Sequence, residues 1–150
     1  MAIVRRSSTL PIPADLAFEL AQKIELFEFV VAPFLQIRSI DTPDGIAPGA
    51  TVSGRLWWLG MVPSWRHSIT IVELGDRQIY TNEHGGPVRT WNHRLTFERL
   101  DGDHCVYTDE IELGDGLHDA GTRLFARAMF RHRHRRWATL ASILAKPTTP

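Results

Sequence analysis

The feature that most constrains this chain is its last uninterrupted run. From Asp119 or Gly121 to Ala145 there is no proline, and Ala126, Phe130, Trp137, Leu140 and Leu144 return at helical spacing. The spacing predicts a single helix of about 25 residues, roughly 37 Å long, stopped by Pro147. Only one stripe of it is apolar, so it must lie on one broad apolar surface rather than pass through a core. The rest of the chain has to supply that surface.

The preceding segments are punctuated as an antiparallel meander. Ala2 to Leu10 reads as a strand, ended by Pro11 and Pro13. Pro13 suits the first turn of a helix, and Leu16, Leu20 and Ile24 share one face of it. A second short helix is expected over Glu25 to Val30, and a strand over Phe34 to Ile40. Strands then follow at Thr51–Leu59, Trp65–Leu74, Arg77–Glu83, Thr90–Leu100 and His104–Leu113. The breaks between them are Gly60, Gly75-Asp76, Gly85-Gly86-Pro87 and Asp101-Gly102-Asp103. The expected class is α+β: a curved seven-stranded antiparallel sheet around a long C-terminal helix, with two short helices after the first strand. One domain over residues 1–146 and a short tail at 147–150 complete the expectation.

Charge is balanced, with 17 Lys and Arg against 17 Asp and Glu, but it is unevenly spread. Residues 1–117 hold 10 basic and 16 acidic side chains, and residues 118–150 hold 7 and 1. The reading is a basic helix against an acidic sheet. The zero total argues against a general nucleic-acid binder, which needs a broad basic face. Cys105 is the only cysteine, so no internal disulfide forms. Met1 to Arg6 lacks the apolar block of a signal peptide, and no apolar stretch is long enough for stable membrane insertion. A cytoplasmic location is the expectation.

Several runs are similar to a known family. They are Pro48-Gly-Ala-Thr-Val52, Arg55-Leu56, Gly60-Met-Val-Pro63 with Trp65-Arg66, and Gly86-Pro87-Val-Arg89-Thr-Trp91-Asn-His93 with Phe97-Glu98. Thr108-Asp109 and the helix from Leu124-Phe125 to Leu144 continue the pattern. Nearly the whole chain resembles the START-like, or Bet v 1-like (SRPBCC), superfamily, and within it the bacterial ligand-binding branch labelled polyketide cyclase/dehydrase-like. The resemblance implies a helix-grip fold with an apolar cavity under the long helix. It does not imply a reaction, because fold and chemistry are separable. Two features depart from the family pattern: Gly54 in the middle of a strand, and the unusually basic run Arg131-His-Arg-His-Arg-Arg136.

Strand alternation selects the candidate site residues. Trp91, His93, Leu95 and Phe97 share one face, and Tyr107, Asp109, Ile111 and Leu113 form the matching inward set. A three-residue turn at 101–103 pairs His93 with Ile111, Leu95 with Asp109 and Phe97 with Tyr107. Asp109 is then a diagonal neighbour of His93 within hydrogen-bond reach. Trp65, His67, Ile69 and Ile71 are inward by the same rule, with Tyr80 opposite Ile71 and His84 opposite His67. Two facing histidines without a third ligand do not make a metal site, and no metal or cofactor is expected. On the helix, the Phe130–Trp137 stripe turns His134, and partly Arg133, toward the sheet. Arg89 is a candidate anion contact at a cavity mouth.

The candidate ligand-binding set is therefore Trp65, His67, Ile69, Tyr80, Arg89, Trp91, His93, Phe97, Tyr107, Asp109, Ile111, His134 and Trp137. The leading expectation is a non-catalytic binder of an apolar small molecule, lipid-like or aromatic. The alternatives are a cyclase or dehydratase using His93 and Asp109 as acid and base, and a protein-interaction module acting through the apolar hairpin 56–63 or the basic helix. The apolar hairpin Leu56–Pro63 suits a cavity lip or a homodimer contact ahead of a membrane-touching tip.

Overall fold

The computed structural model describes residues 1–42 and 45–146. The expected tail at 147–150, and the Pro147 stop, lie outside the described residues. Strand β1 (Ala2–Leu10) is followed by helices α1 (Ala14–Ala21) and α2 (Ile24–Val31), then by β2 (Leu35–Asp41), β3 (Thr51–Trp58), β4 (Val62–Gly75), β5 (Gln78–Gly85), β6 (Val88–Arg99) and β7 (Cys105–Leu113). A 3-10 turn at Leu117–Asp119 leads into α3 (Ala120–Ala145). All seven strands form one antiparallel sheet in the order β1-β7-β6-β5-β4-β3-β2. The meander builds six of these strands by local hairpins, and β1 closes on β7 across the whole chain. This is the expected helix-grip architecture.

α3 lies on the concave face against β1 and β7, and α2 packs beside it. Its buried stripe is Ala126, Met129, Phe130, Arg133, His134, Trp137 and Ala141. Leu144, assigned to that stripe from spacing, is exposed, because the last turn of α3 runs past the sheet. Leu10, Ile12, Val30, Phe97, Cys105, Tyr107 and Trp137 form the main core. A smaller cluster of Val4, Ile111, Leu113, Ala126 and Phe130 fills the space under the N-terminal half of α3.

Gly54 has a packing reason. A Cβ there would lie 2.5 Å from Ile37 Cγ1 of the neighbouring strand. Gly86 likewise accommodates an aromatic ring. Its φ is +54°, and a Cβ would meet the Trp65 indole at 2.5 Å.

The β4–β5 hairpin departs from the expected register. The turn residues with positive φ are Asp76 and Arg77, one place later than the glycine suggests. A bulge between Ile71 and Glu73 then shifts the pairing again. Ile71 faces Thr81, Glu73 faces Tyr80, and Ser68 faces His84. A one-residue slip turns every side chain of a strand over. Ile79, Thr81 and Glu83 therefore point inward, while Tyr80 and His84 point outward.

Candidate functional site

The inward faces of β4 to β7 carry the polar side chains His67, Thr81, Glu83, His93 and Asp109. They are joined into one network. His67 on β4 bonds through Nε2 to Glu83 Oε2 at 3.0 Å. Glu83 Oε1 accepts from Thr81 Oγ1 at 2.9 Å and from His93 Nδ1 at 3.3 Å. The other ring nitrogen of His93 lies 2.7 Å from Asp109 Oδ1. Tyr107 donates its hydroxyl hydrogen to Asp109 Oδ2 in a short bond, and Arg133 reaches that phenol at 3.4 Å. His134 Nδ1 is 2.6 Å from Ser8 Oγ on β1.

Donor and acceptor chemistry orders the protons. The Trp65 indole N–H can only donate, and it lies 3.4 Å from His67 Nδ1. His67 thus accepts at Nδ1 and donates from Nε2 to Glu83. His93 faces a carboxylate at each nitrogen, so both nitrogens donate and the ring is an imidazolium. Burial alone would lower the His93 pKa. Its bonds to Asp109 and Glu83 outweigh that and raise it above 6.5. Burial would raise the Glu83 pKa, and the bonds from His67 and His93 instead hold it far below 4.5.

Burial would also raise the Asp109 pKa. The Arg133 charge, with contacts from His134 and His93, holds it well below 3.8. Tyr107 moves the other way: burial and then the Asp109 charge keep its phenol protonated. The two carboxylates are matched by His93 and Arg133, so the buried network is electrically balanced. Balance is what makes it tolerable inside a protein, because an unmatched charge there is strongly unfavourable.

Not every contact is well formed. Arg133 Nε stands 3.5 Å from Asp109 Oδ2 and His134 Nε2 stands 3.2 Å from it. Both nitrogens are buried without the alignment of a hydrogen bond, and Trp137 Nε1 is buried without a partner among the described residues. Asp109 is thus held on one side by direct bonds and on the other by charge.

Two cavities flank this network. The larger, about 390 Å³, lies between the sheet and the α1–α2 segment. Its walls are mainly aliphatic, with Leu26 and Val30 from α2, Ile69, Ile71, Ile79 and Leu95 from the sheet, and Trp137 from α3. The smaller, about 70 Å³, lies among Trp58, Trp65, Trp91, Phe125 and Met129. Phe27, Glu83, His93 and Arg133 border both, so the polar network forms the partition.

The thirteen candidates divide accordingly. Ile69, His93 and Trp137 line the larger cavity, and Trp65, His67, Trp91 and again His93 line the smaller. Phe97, Tyr107, Asp109, Ile111 and His134 are buried in packing. The rings of Phe97 and Tyr107 stack at 5.2 Å, and those of Tyr107 and His134 at 4.5 Å. Two placements are corrected. Tyr80 is on the outer face, with the Arg94 guanidinium 4.4 Å over its ring. Arg89 is exposed and borders neither cavity, because β6 begins at Val88 and it is Val88 that lines the smaller one.

The expected pairing of β6 with β7 holds in full, with His93 opposite Ile111, Leu95 opposite Asp109 and Phe97 opposite Tyr107. His84 does not face His67, whose partner is Glu83. Glu83 is the central residue that the sequence reading missed. Its signal was the alternation Ile79-x-Thr81-x-Glu83, which becomes inward only once the bulge is known. Among the described residues, no group of three His, Cys, Asp or Glu side chains is arranged to hold a metal ion. No helix of the described residues is long and apolar enough to cross a membrane.

A curved antiparallel sheet wrapped on a long C-terminal helix is the START-like, Bet v 1-like fold. Solved structures agree over nearly the whole chain. A START superfamily protein from Mycobacterium smegmatis superposes with a TM-score of 0.71 at 12% identity, covering 95% of this chain and 98% of that one. The major latex-like protein 151 from Panax ginseng gives 0.65 at 11% identity, covering 93% and 97%. The Zhui aromatase/cyclase from a Streptomyces species gives 0.55 at 18% identity, covering 96% and 90%. The chain belongs to the family described as a domain of unknown function, DUF8410, whose pattern matches residues 25–140. No curated protein matches it in sequence.

Proposed function

We propose that this protein binds an apolar small molecule, lipid-like or aromatic, in the cavity of about 390 Å³ between the sheet and α1–α2. One observation carries the reading. The aliphatic walls converge on one inner polar patch, Thr81, Glu83, His93 and Arg133, while the other polar lining residues, Gln22, Lys23, Glu25 and Thr42, come from the α1–α2 segment and the start of the β2–β3 loop. Apolar walls with a few convergent polar groups are the usual form of a small-molecule site, and the volume lies within the usual range. The walls would hold the body of the ligand, and the patch would orient its polar end.

The cyclase or dehydratase reading has less support. A general base needs a free lone pair, and both nitrogens of His93 already donate to carboxylates. The fold likeness, at 18% identity or less for the structures above, bears on architecture alone.

Native mass spectrometry of freshly purified protein tests the binding reading, together with titration of a naphthalene-sulfonate fluorophore. The expected result is a co-purifying small molecule or saturable fluorophore binding, either of which Ile69→Trp abolishes by filling the cavity. If the wild type takes up neither, or if Ile69→Trp leaves uptake unchanged, the reading fails.

A further inference from the structure

The β3–β4 hairpin ends in an apolar tip that nothing in the described residues covers. Leu59 is 55% exposed, Met61 73% and Val62 56%. Phe34 is 46% exposed and joins the tip, since its carbonyl accepts the Leu59 N–H at 2.9 Å. Single exposed apolar residues are ordinary, but four side chains around one turn make a patch.

The register adds something the sequence order hides. Arg38 of β2 pairs with Arg55 of β3, and Arg55 pairs with Arg66 of β4. Directly opposed residues share a face, so the three arginines stand in a row across three strands on the outer side of the sheet. The Arg38 guanidinium reaches along β2 to the turn, donating to Gly60 O at 3.0 Å and lying 4.2 Å over the Trp57 ring. Arg66 reaches Ser39 O and Ser53 Oγ. The ion pairs of the described residues involve other arginines, namely Arg5, Arg77, Arg94, Arg99 and Arg133. Like charges directly opposed on a sheet are unfavourable, so the row favours an anionic partner on this face.

We infer that the β3–β4 tip and the row Arg38–Arg55–Arg66 form a docking surface for an anionic lipid bilayer. The two halves of the surface match the two layers of such a membrane. Aliphatic tip side chains enter the acyl boundary, Trp57 lies at the level where tryptophan is enriched, and the arginines meet the phosphates. A two-fold dimer through the same surface would bring two arginine rows into one interface, which charge repulsion opposes. The docking is peripheral and reversible, and it stands independently of the cavity's occupant.

Flotation tests this with vesicles of phosphatidylcholine, with and without phosphatidylglycerol. The wild type is expected to float with the anionic vesicles only, and to be released by salt. Arg55→Ser is expected to weaken partitioning about five-fold, and Met61→Ser about ten-fold. Both positions are exposed, so their unfolding transitions should match the wild type.

The proposal is overturned if the wild type ignores anionic vesicles or binds both kinds equally. It is also overturned if sedimentation shows a dimer that Met61→Ser dissolves. A second exposed basic stripe, Arg127, Arg131 and Arg135, runs along α3. Binding that survives both hairpin variants but falls in Arg131→Ser would assign docking to that helix instead.

Discussion

The two halves of this interior are built on the same sheet and are filled in opposite ways. Under α3, against β1, β7 and β6, the space is closed by rings: Phe97, Tyr107, His134 and Trp137 lie within 4.5 to 5.7 Å of one another as successive centroid pairs. Under α1 and α2, against β3 to β5, aliphatic side chains face one another across about 390 Å³. The difference lies in side-chain reach. A long helix lying along the strands delivers Phe130, Arg133, His134 and Trp137 onto the sheet. Two helices of eight residues each do not extend over the middle of it. Closure of one end by large rings leaves the other end open.

The largest effect is expected in the closed half. Asp109→Ala removes the partner of both His93 and Arg133 and leaves two buried cations with one carboxylate. A loss of about 3–5 kcal/mol in urea unfolding is expected; a loss under about 1 kcal/mol would show that the network is not charge-coupled. Phe97→Ala should cost about 3–5 kcal/mol and Ile71→Ala about 2, because the second site already borders empty space and loses fewer contacts. Equal losses would remove the distinction between the halves.

The same contrast should appear in pH dependence. Glu83 and Asp109 have pKa values below their ordinary 4.5 and 3.8, so their contribution is present above those values and is lost as pH falls below them. His93 has a pKa raised above 6.5, so its contribution is complete below 6.5 and declines as pH rises through its folded value. Stability should therefore be greatest between about 4.5 and 6.5 and fall on either side. His93→Gln should flatten the alkaline arm while Ile71→Ala keeps it, as read from urea midpoints across pH. The smallest effect is a matter of room. Leu95→Phe, grown into the cavity, should change stability by less than about 1 kcal/mol, whereas Ala141→Leu under the packed face should cost about 1–3.

Part of the candidate site was legible because β6 and β7 are joined by a turn whose length the residues at 101–103 announce. Once that turn is known, alternation brings His93 and Asp109 together with no further information. The β4–β5 pair was not legible. Its turn uses Asp76 and Arg77 in the left-handed region, and its bulge at Val72 leaves no mark in composition. The turn displaces the pairing by two places and keeps the faces, and the one-residue bulge then exchanges Tyr80 for Glu83 on the inner face. The basic run on α3 read correctly in part: Arg133 and His134 do face the sheet and lie against Asp109, and Arg133 alone of the two also borders the cavities.

By itself, the sequence determined the order of elements, the helix-grip class and the inward faces of the strands flanking the 101–103 turn, since periodicity and turn residues act locally. Only the tertiary structure decided where empty space remains, that Glu83 and His93 share a proton-donating contact, and that three arginines align across β2, β3 and β4. Those facts depend on register and on how far side chains from distant segments reach. Both are set by packing between elements that are remote in the chain.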